Sequence, residues 1–227
     1  MIYHVREAAP YQRAVRMSPT VTSAARPATM DDVAGIARVL SRSAHEDPFF
    51  RWLFPDDELR IAKTRRFFAL TAGFGYVPAG GTRVAETRDD PESAPVVRGA
   101  ALWAPPEANP EGQLVSLRTW PHWGPLIGRA RLTAFVRVFA EWKLAAPQEP
   151  HLYLATLGVD PVASGTGVAG GLLSDGLDRA DSEGIPVFTQ TLDDKTVGFY
   201  ERFGFRVSRE VESQDAGTHY YLVRDPS

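Results

Sequence analysis

The chain has 227 residues, 44% hydrophobic and 23% charged, with 25 basic against 28 acidic side chains and a formal net charge of -3. That is the size and balance of one globular domain, with no overall electrostatic pull toward nucleic acid. Cysteine is absent, which excludes disulfides, thiolate zinc sites and a cysteine nucleophile; no metal site is expected. No apolar run is long enough to span a bilayer, and the N-terminus lacks the apolar centre of a signal peptide. The expectation is a cytoplasmic protein, monomer or homodimer, that engages neither membrane nor nucleic acid.

Residues 1–26 show no period and read as a flexible tail, with one domain over 27–227. Thr29 with Asp31 and Asp32 looks like a helix start, and Val33, Ile36, Ala37 and Leu40 form one apolar face. Pro48 stops that helix, followed by an aromatic cluster and a second helix over about 57–73. Strands are predicted at 82–87 and 96–104, with turn chemistry between them. Residues 112–146 read mostly as helix, broken near Pro121–Pro125, with Leu132, Phe135, Val136, Phe139 and Trp142 facing inward. From 151 the pattern alternates: strand 151–159, helix 167–182, strand 187–192, short helix 194–203, then a hairpin of 205–211 and 218–224. This order predicts an α/β or α+β domain with a mixed sheet.

The segment Val159–Ala169 is a glycine-rich turn between strand and helix. Such a turn presents backbone N–H groups at the positive end of a helix dipole, a ready phosphate site, and side chains there would obstruct the approach. Gly165–Gly170 formally matches the dinucleotide pattern G-x-G-x-x-G, but Asp160–Ser164 separates it from its strand and only a quarter of the chain follows.

Ser164–Gly165–Thr166–Gly167–Val168–Ala169 instead resembles the pyrophosphate loop of the GNAT acetyltransferase superfamily, [Q/R]-x-x-G-x-[G/A], with Ser164 in place of Gln or Arg. Phe199–Tyr200–Glu201–Arg202–Phe203–Gly204–Phe205 is similar to the family's C-terminal Phe-Tyr-x-x-x-Gly-Phe, and Arg26–Val33 to its opening. Glu149–Val159 looks like the same stretch in the puromycin N-acetyltransferase group. The resemblance implies a central mixed sheet splayed into a V and flanked by helices, with acetyl-CoA in the gap and direct transfer of its acetyl group. It also implies that Leu157, Gly158 and Val159 bind the pantetheine arm, that Ser164–Ala169 bind the diphosphate, and that Thr191 and Thr196 stand beside the arm, Thr196 where the family often has Asn. Tyr200 would protonate the departing thiolate as general acid.

Many family members carry a glutamate base on the strand before the loop; His151–Val159 has no carboxylate. His45, Glu46, Asp47, His151 or a water are the alternatives. The aromatics Phe49, Phe50, Trp52, Phe54, Trp103, Trp120 and Trp123 could line an apolar acceptor pocket, and Asp47, Asp56 and Asp57 could attract a cation. The expected reaction is acetyl transfer to a small-molecule amine. A rival reading is a module of the same fold that binds acyl-CoA without turnover, a sensor; a third is a dinucleotide oxidoreductase.

Overall fold

The computed structural model describes residues 20–88, 92–114, 116, 118–213 and 216–227. Among these residues seven strands form one sheet in the order β1-β2-β3-β4-β5-β7-β6. They are β1 (Thr20–Pro27), β2 (Arg83–Arg88), β3 (Val96–Ala104), β4 (Leu152–Val159), β5 (Val187–Thr191), β6 (Arg206–Ser213) and β7 (Gly217–Arg224). All pairings are antiparallel except β4 with β5, which run parallel through the long crossover that such a pair requires. Part of the expected tail, from Thr20, is therefore a sheet strand paired to β2; the rest of the tail lies outside the described residues, as do the middles of the two predicted hairpin turns.

Among the described residues eight α-helices cover the sheet: α1 (Val33–Ser43), α2 (Pro48–Leu53), α3 (Asp57–Thr71), α4 (Pro110–Leu114), α5 (Trp120–Ile127), α6 (Arg129–Ala145), α7 (Val168–Glu183) and α8 (Asp194–Glu201). Strand alternation divides the core in two. Tyr153 and Ala155 of β4 pack with α1, α2, α3 and α6 on one face, while Leu152 and Leu154 pack with α7 and α8 on the other.

Helix α2 was read from sequence only as an aromatic stretch after a proline. It forms because Asp47 caps it, accepting from the Phe49 and Phe50 amides at 2.9 and 3.4 Å, and because Pro48 opens it where no N–H is needed. The predicted break at Pro121–Pro125 is also displaced. Pro121 fits the first turn of α5, Pro125 is carried inside the helix, and the chain turns instead at Gly128, whose φ of 86° suits glycine alone. On α6, Val136 faces outward and Val138 is fully buried in its place.

Two features of β4 decide where the site lies. Between Leu102 and Trp103 of β3 the register slips, leaving Ala155 of β4 as an extra residue, a bulge that bends the strand. Beyond the bulge β4 leaves β5: the two pair only at Leu152–Val187, Tyr153–Phe188 and Leu154–Thr189. The sheet is thus splayed along 155–159, as the resemblance implied. At Gly158 an added Cβ would meet Leu40 and Ser43 at 2.7–3.0 Å, so glycine lets α1 close onto the strand at the splay.

Candidate active site

The splay opens into a cleft of about 570 Å³. One lip is Ala155, Thr156 and Leu157 of β4; the other is Thr189, Gln190 and Thr191 at the end of β5. With β5 gone, backbone groups of 155–157 face the cleft without a sheet partner on that side, and an extended amide-bearing ligand can replace the missing strand.

At the far end of β4 the chain turns through Pro161–Ala163 into α7. Gly165 and Gly167 hold φ of 76° and 86°, with open space where a Cβ would stand. No side chain caps α7, so its first amides point outward unpaired at the positive end of the dipole. Ser164 and Thr166 are exposed, and Thr166 is occupied in donating to the Ala163 carbonyl at 2.7 Å. The loop therefore offers backbone rather than side chains, a cradle whose chemistry fits the diphosphate of CoA. The turn is anchored by Asp160, fully buried and ringed by Arg42, Arg98 and Arg38 at 3.4, 3.5 and 3.6 Å.

Tyr200 of α8 lines the same cleft, 8% exposed. Burial pushes its phenol up to about 12, eased by a hydrogen bond with Thr189 and pushed a little further by the nearby Asp47 carboxylate. A phenol in that state keeps its proton at neutral pH and is available to share it with a thiolate forming beside it. Thr191 and Thr196 also line the cleft, but they face each other: Thr196 Oγ1 lies 2.8 Å from both Thr191 Oγ1 and the Asp193 carbonyl, which ties the entry of α8 to the end of β5. Leu157 joins them on the lip, whereas Gly158 is buried against α1 and, with Val159, lies outside the lining.

Among the base candidates the geometry discriminates. Asp47 lines the cleft, and burial raises its carboxyl to about 6, opposed by the Phe49 and Phe50 amides and assisted by Asp193. Glu46 also lines it but is largely exposed, and pairs with Arg51 at 3.7 Å. His45 sits outside the lining, 3.5 Å from Glu46 and 3.7 Å from Asp57. His151 borders a different cleft and contacts the Glu149 carbonyl at 2.9 Å.

Of the aromatics singled out from sequence, Phe49 and Phe50 line the cleft. Trp103 lies on the opposite face of the sheet, beneath α7, and Phe54 is core. Asp56 caps α3 and Asp57 pairs with Arg60 at 2.6 Å. Sequence reading missed Phe67, Phe139, Trp142, Tyr153 and Gln190 as lining residues. The 3.6-residue period of Phe135, Phe139 and Trp142 marked a buried face, but a period does not say that part of the face borders a cavity. Behind the cleft, Trp142 Nε1 donates to Nδ1 of the buried His219 at 3.0 Å.

A splayed parallel pair, a glycine cradle at its mouth and a buried tyrosine at its centre are the three features that the resemblance called for. The sequence profile of the acetyltransferase (GNAT) family matches residues 100–205, which hold both lips, the cradle and Tyr200. The chain carries a GNAT acetyltransferase domain. Its fold is similar to that of a Corynebacterium glutamicum protein described as histone acetyltransferase HPA2 and related acetyltransferase, at 29% identity and a TM-score of 0.66, covering 93% of this chain and 98% of that one. It is similar in fold alone to arylalkylamine N-acetyltransferase 2 of Aedes aegypti, at 10% identity and a TM-score of 0.59 over 89% of this chain and 98% of that one. The same holds for the C-terminal condensation domain of Ebony, at 12% identity and a TM-score of 0.61 over 91% and 99%. The GNAT chain is therefore an N-acetyltransferase that uses acyl-CoA. Among its described residues no helix is long and apolar enough to cross a membrane.

Proposed function

We propose that the chain transfers acetyl from acetyl-CoA directly to the amine of a small molecule, with Tyr200 as general acid and Asp47 as general base. The observation that carries this is convergence: both groups face the cleft that the splay opens, and the Tyr200 phenol senses the charge of Asp47. Asp47 with its carboxyl near 6 is ionised at neutral pH yet basic enough to take, directly or through water, the proton that the neutral amine sheds as its nitrogen bonds to the thioester carbonyl. The amides of β4 beyond Ala155 hold the pantetheine arm and polarise the thioester carbonyl; the cradle of Gly165–Ala169 holds the diphosphate. Tyr200 gives its proton to the departing sulfur. The acceptor side is enclosed by aromatic side chains of α2, α3 and α6, a setting for a compact amine rather than a long basic tail.

The test is free-thiol release from acetyl-CoA against a panel of small amines. Amine-dependent release that saturates in both substrates is expected. Saturable acetyl-CoA binding without release for any amine would overturn the proposal in favour of a sensor. Binding of NAD(P)H but not CoA would return the loop to the dinucleotide reading.

A further inference from the structure

We infer that Asp160 is a positioning residue for CoA: its buried carboxylate, paired with Arg38, Arg42 and Arg98, fixes the glycine cradle and thereby sets the affinity for the nucleotide end of the cofactor. The inference rests on the reading of that cradle as the diphosphate site. The end of β4 needs such a fixture because the sheet does not supply one. Its last partner on β3 is Gly99, opposite Val159, and its pairing with β5 has already stopped at Leu154. The chain leaves the sheet at Asp160 with one further backbone bond, from its N–H to the Arg98 carbonyl at 2.7 Å. The cradle beyond has little packed against it: Gly165 and Gly167 stand in open space, and Ser164 and Thr166 are exposed.

A chain of bonds leads from the cradle back to Asp160. The Asp160 carboxylate accepts from the Val162 amide at 3.3 Å, and its backbone carbonyl accepts from the Ala163 amide at 2.8 Å. The Ala163 carbonyl in turn accepts from the hydroxyl of Thr166, the residue between the two glycines, at 2.7 Å. The place of the cradle therefore follows the place of Asp160. That place is set by charge. The carboxylate is fully buried, and a buried charge is tolerated only when it is opposed. Arg42 opposes Oδ1 at 3.4 Å, and Arg98 and Arg38 oppose Oδ2 at 3.5 and 3.6 Å. Oδ2 has no hydrogen-bond partner among the described residues, so its hold is the ion pairing itself. Arg38 and Arg42 come from α1 and Arg98 from β3, and Arg38 also donates to the Val97 carbonyl of β3 at 2.8 Å. One carboxylate thus ties the turn before the cradle to a helix and a strand that lie outside it.

The test is Asp160→Asn, with CoA and pantetheine as the two ligands and calorimetry as the readout. Asparagine keeps the side-chain size and an acceptor for the Val162 amide, so what it removes is the ion pairing. It also leaves three guanidinium groups without their counter-charge. A role through net charge alone would then bind the anionic cofactor more tightly; positioning predicts weaker binding. The Kd for CoA should rise about tenfold or more, the scale of one lost charge-assisted contact to phosphate, while that for pantetheine, which lacks the nucleotide end, stays within about twofold. Thermal melting checks folding. Asp160→Asn combined with Arg42→Gln restores the net charge of the four side chains, and the same pair of shifts is expected from it should the single variant not fold. An unchanged or tighter CoA Kd would overturn the inference. So would an equal loss for both ligands, which would mark a general disturbance of β4 rather than of the cradle. Failure of the underlying reading looks different: wild type would bind pantetheine as tightly as CoA, and the diphosphate assignment would fall whatever Asp160 does.

Discussion

The proposed chemistry rests on two side chains whose acidities move away from their usual values for the same reason, burial. For Tyr200 the shift to about 12 keeps the proton in place across the whole working range, so its loss should show as rate rather than as a change in the pH profile. Tyr200→Phe should lower kcat roughly 100-fold or more, the usual scale for a general acid, with acetyl-CoA affinity nearly unchanged; an unaltered kcat in steady-state kinetics would remove the assignment. For Asp47 the shift to about 6 predicts a rate that rises with pH through 6 as the carboxylate forms. Asp47→Asn should erase that limb. The sign for stability is opposite to that of a salt-bridged acid. The folded carboxyl holds its proton more tightly than the unfolded one, so ionisation weakens the fold as pH rises from about 4 through 6. Asn at this position should raise the neutral-pH melting temperature while lowering the rate. Asn also caps a helix well, so α2 should survive the exchange.

At the level of elements, the cradle is a matter of backbone. Gly167→Val asks a β-branched residue to adopt a φ of 86° and places a side chain where a phosphate would sit. CoA affinity by calorimetry should fall below detection, and normal affinity would refute the diphosphate assignment. Both strands of the V, the cradle and the helix that carries Tyr200 were legible in the sequence, because strand-then-helix alternation and glycine punctuation are local signals. What escaped was whatever depends on tertiary placement. Trp103 and Phe49 are alike in sequence as aromatics near a strand end or a helix, yet one is sealed under α7 and the other borders the site. Helix α2 was written in Asp47 and Pro48, a cap followed by a first-turn proline, but the proline was read as a stop. The choice of Asp47 over its neighbours His45 and Glu46 needed the direction in which the loop before α2 aims each side chain.

Across the whole molecule, α6 closes the acceptor side and is tied to β7 by the contact of Trp142 with the buried His219. His219 accepts from Trp142 at Nδ1, which requires a neutral ring, and burial holds its acidity so that the charged form is disfavoured. A folded value below the unfolded one means that stability present at neutral pH is lost as pH falls below about 6.5. Urea midpoints should drop on moving from pH 7.5 to 5.5 through protonation at this site, and His219→Gln should flatten that dependence relative to wild type. Trp142→Phe would remove the shorter of the two contacts at Nδ1, leaving the Tyr221 hydroxyl at 3.4 Å, at a cost of about 1 kcal/mol; a midpoint unchanged at neutral pH would show that the bond does not hold the helix.

The parting of β4 from β5 carries a further consequence. A sheet normally has two edges, and a protein can blunt both with charge, as the exposed alternation of Arg206, Ser208, Arg209 and Glu210 on β6 does here. The splay creates two more edges inside the molecule, and these have to stay receptive to amides if a ligand is to bind. Charge or proline there would abolish binding, so protection falls to shape. The gap is flanked by α2 and α8, with Tyr200 and Asp47 facing it, so the opened edges lie inside a cleft rather than along the rim of the sheet. On the proposed reading, the enclosure that admits a pantetheine arm also screens the opened edges from other copies of this chain.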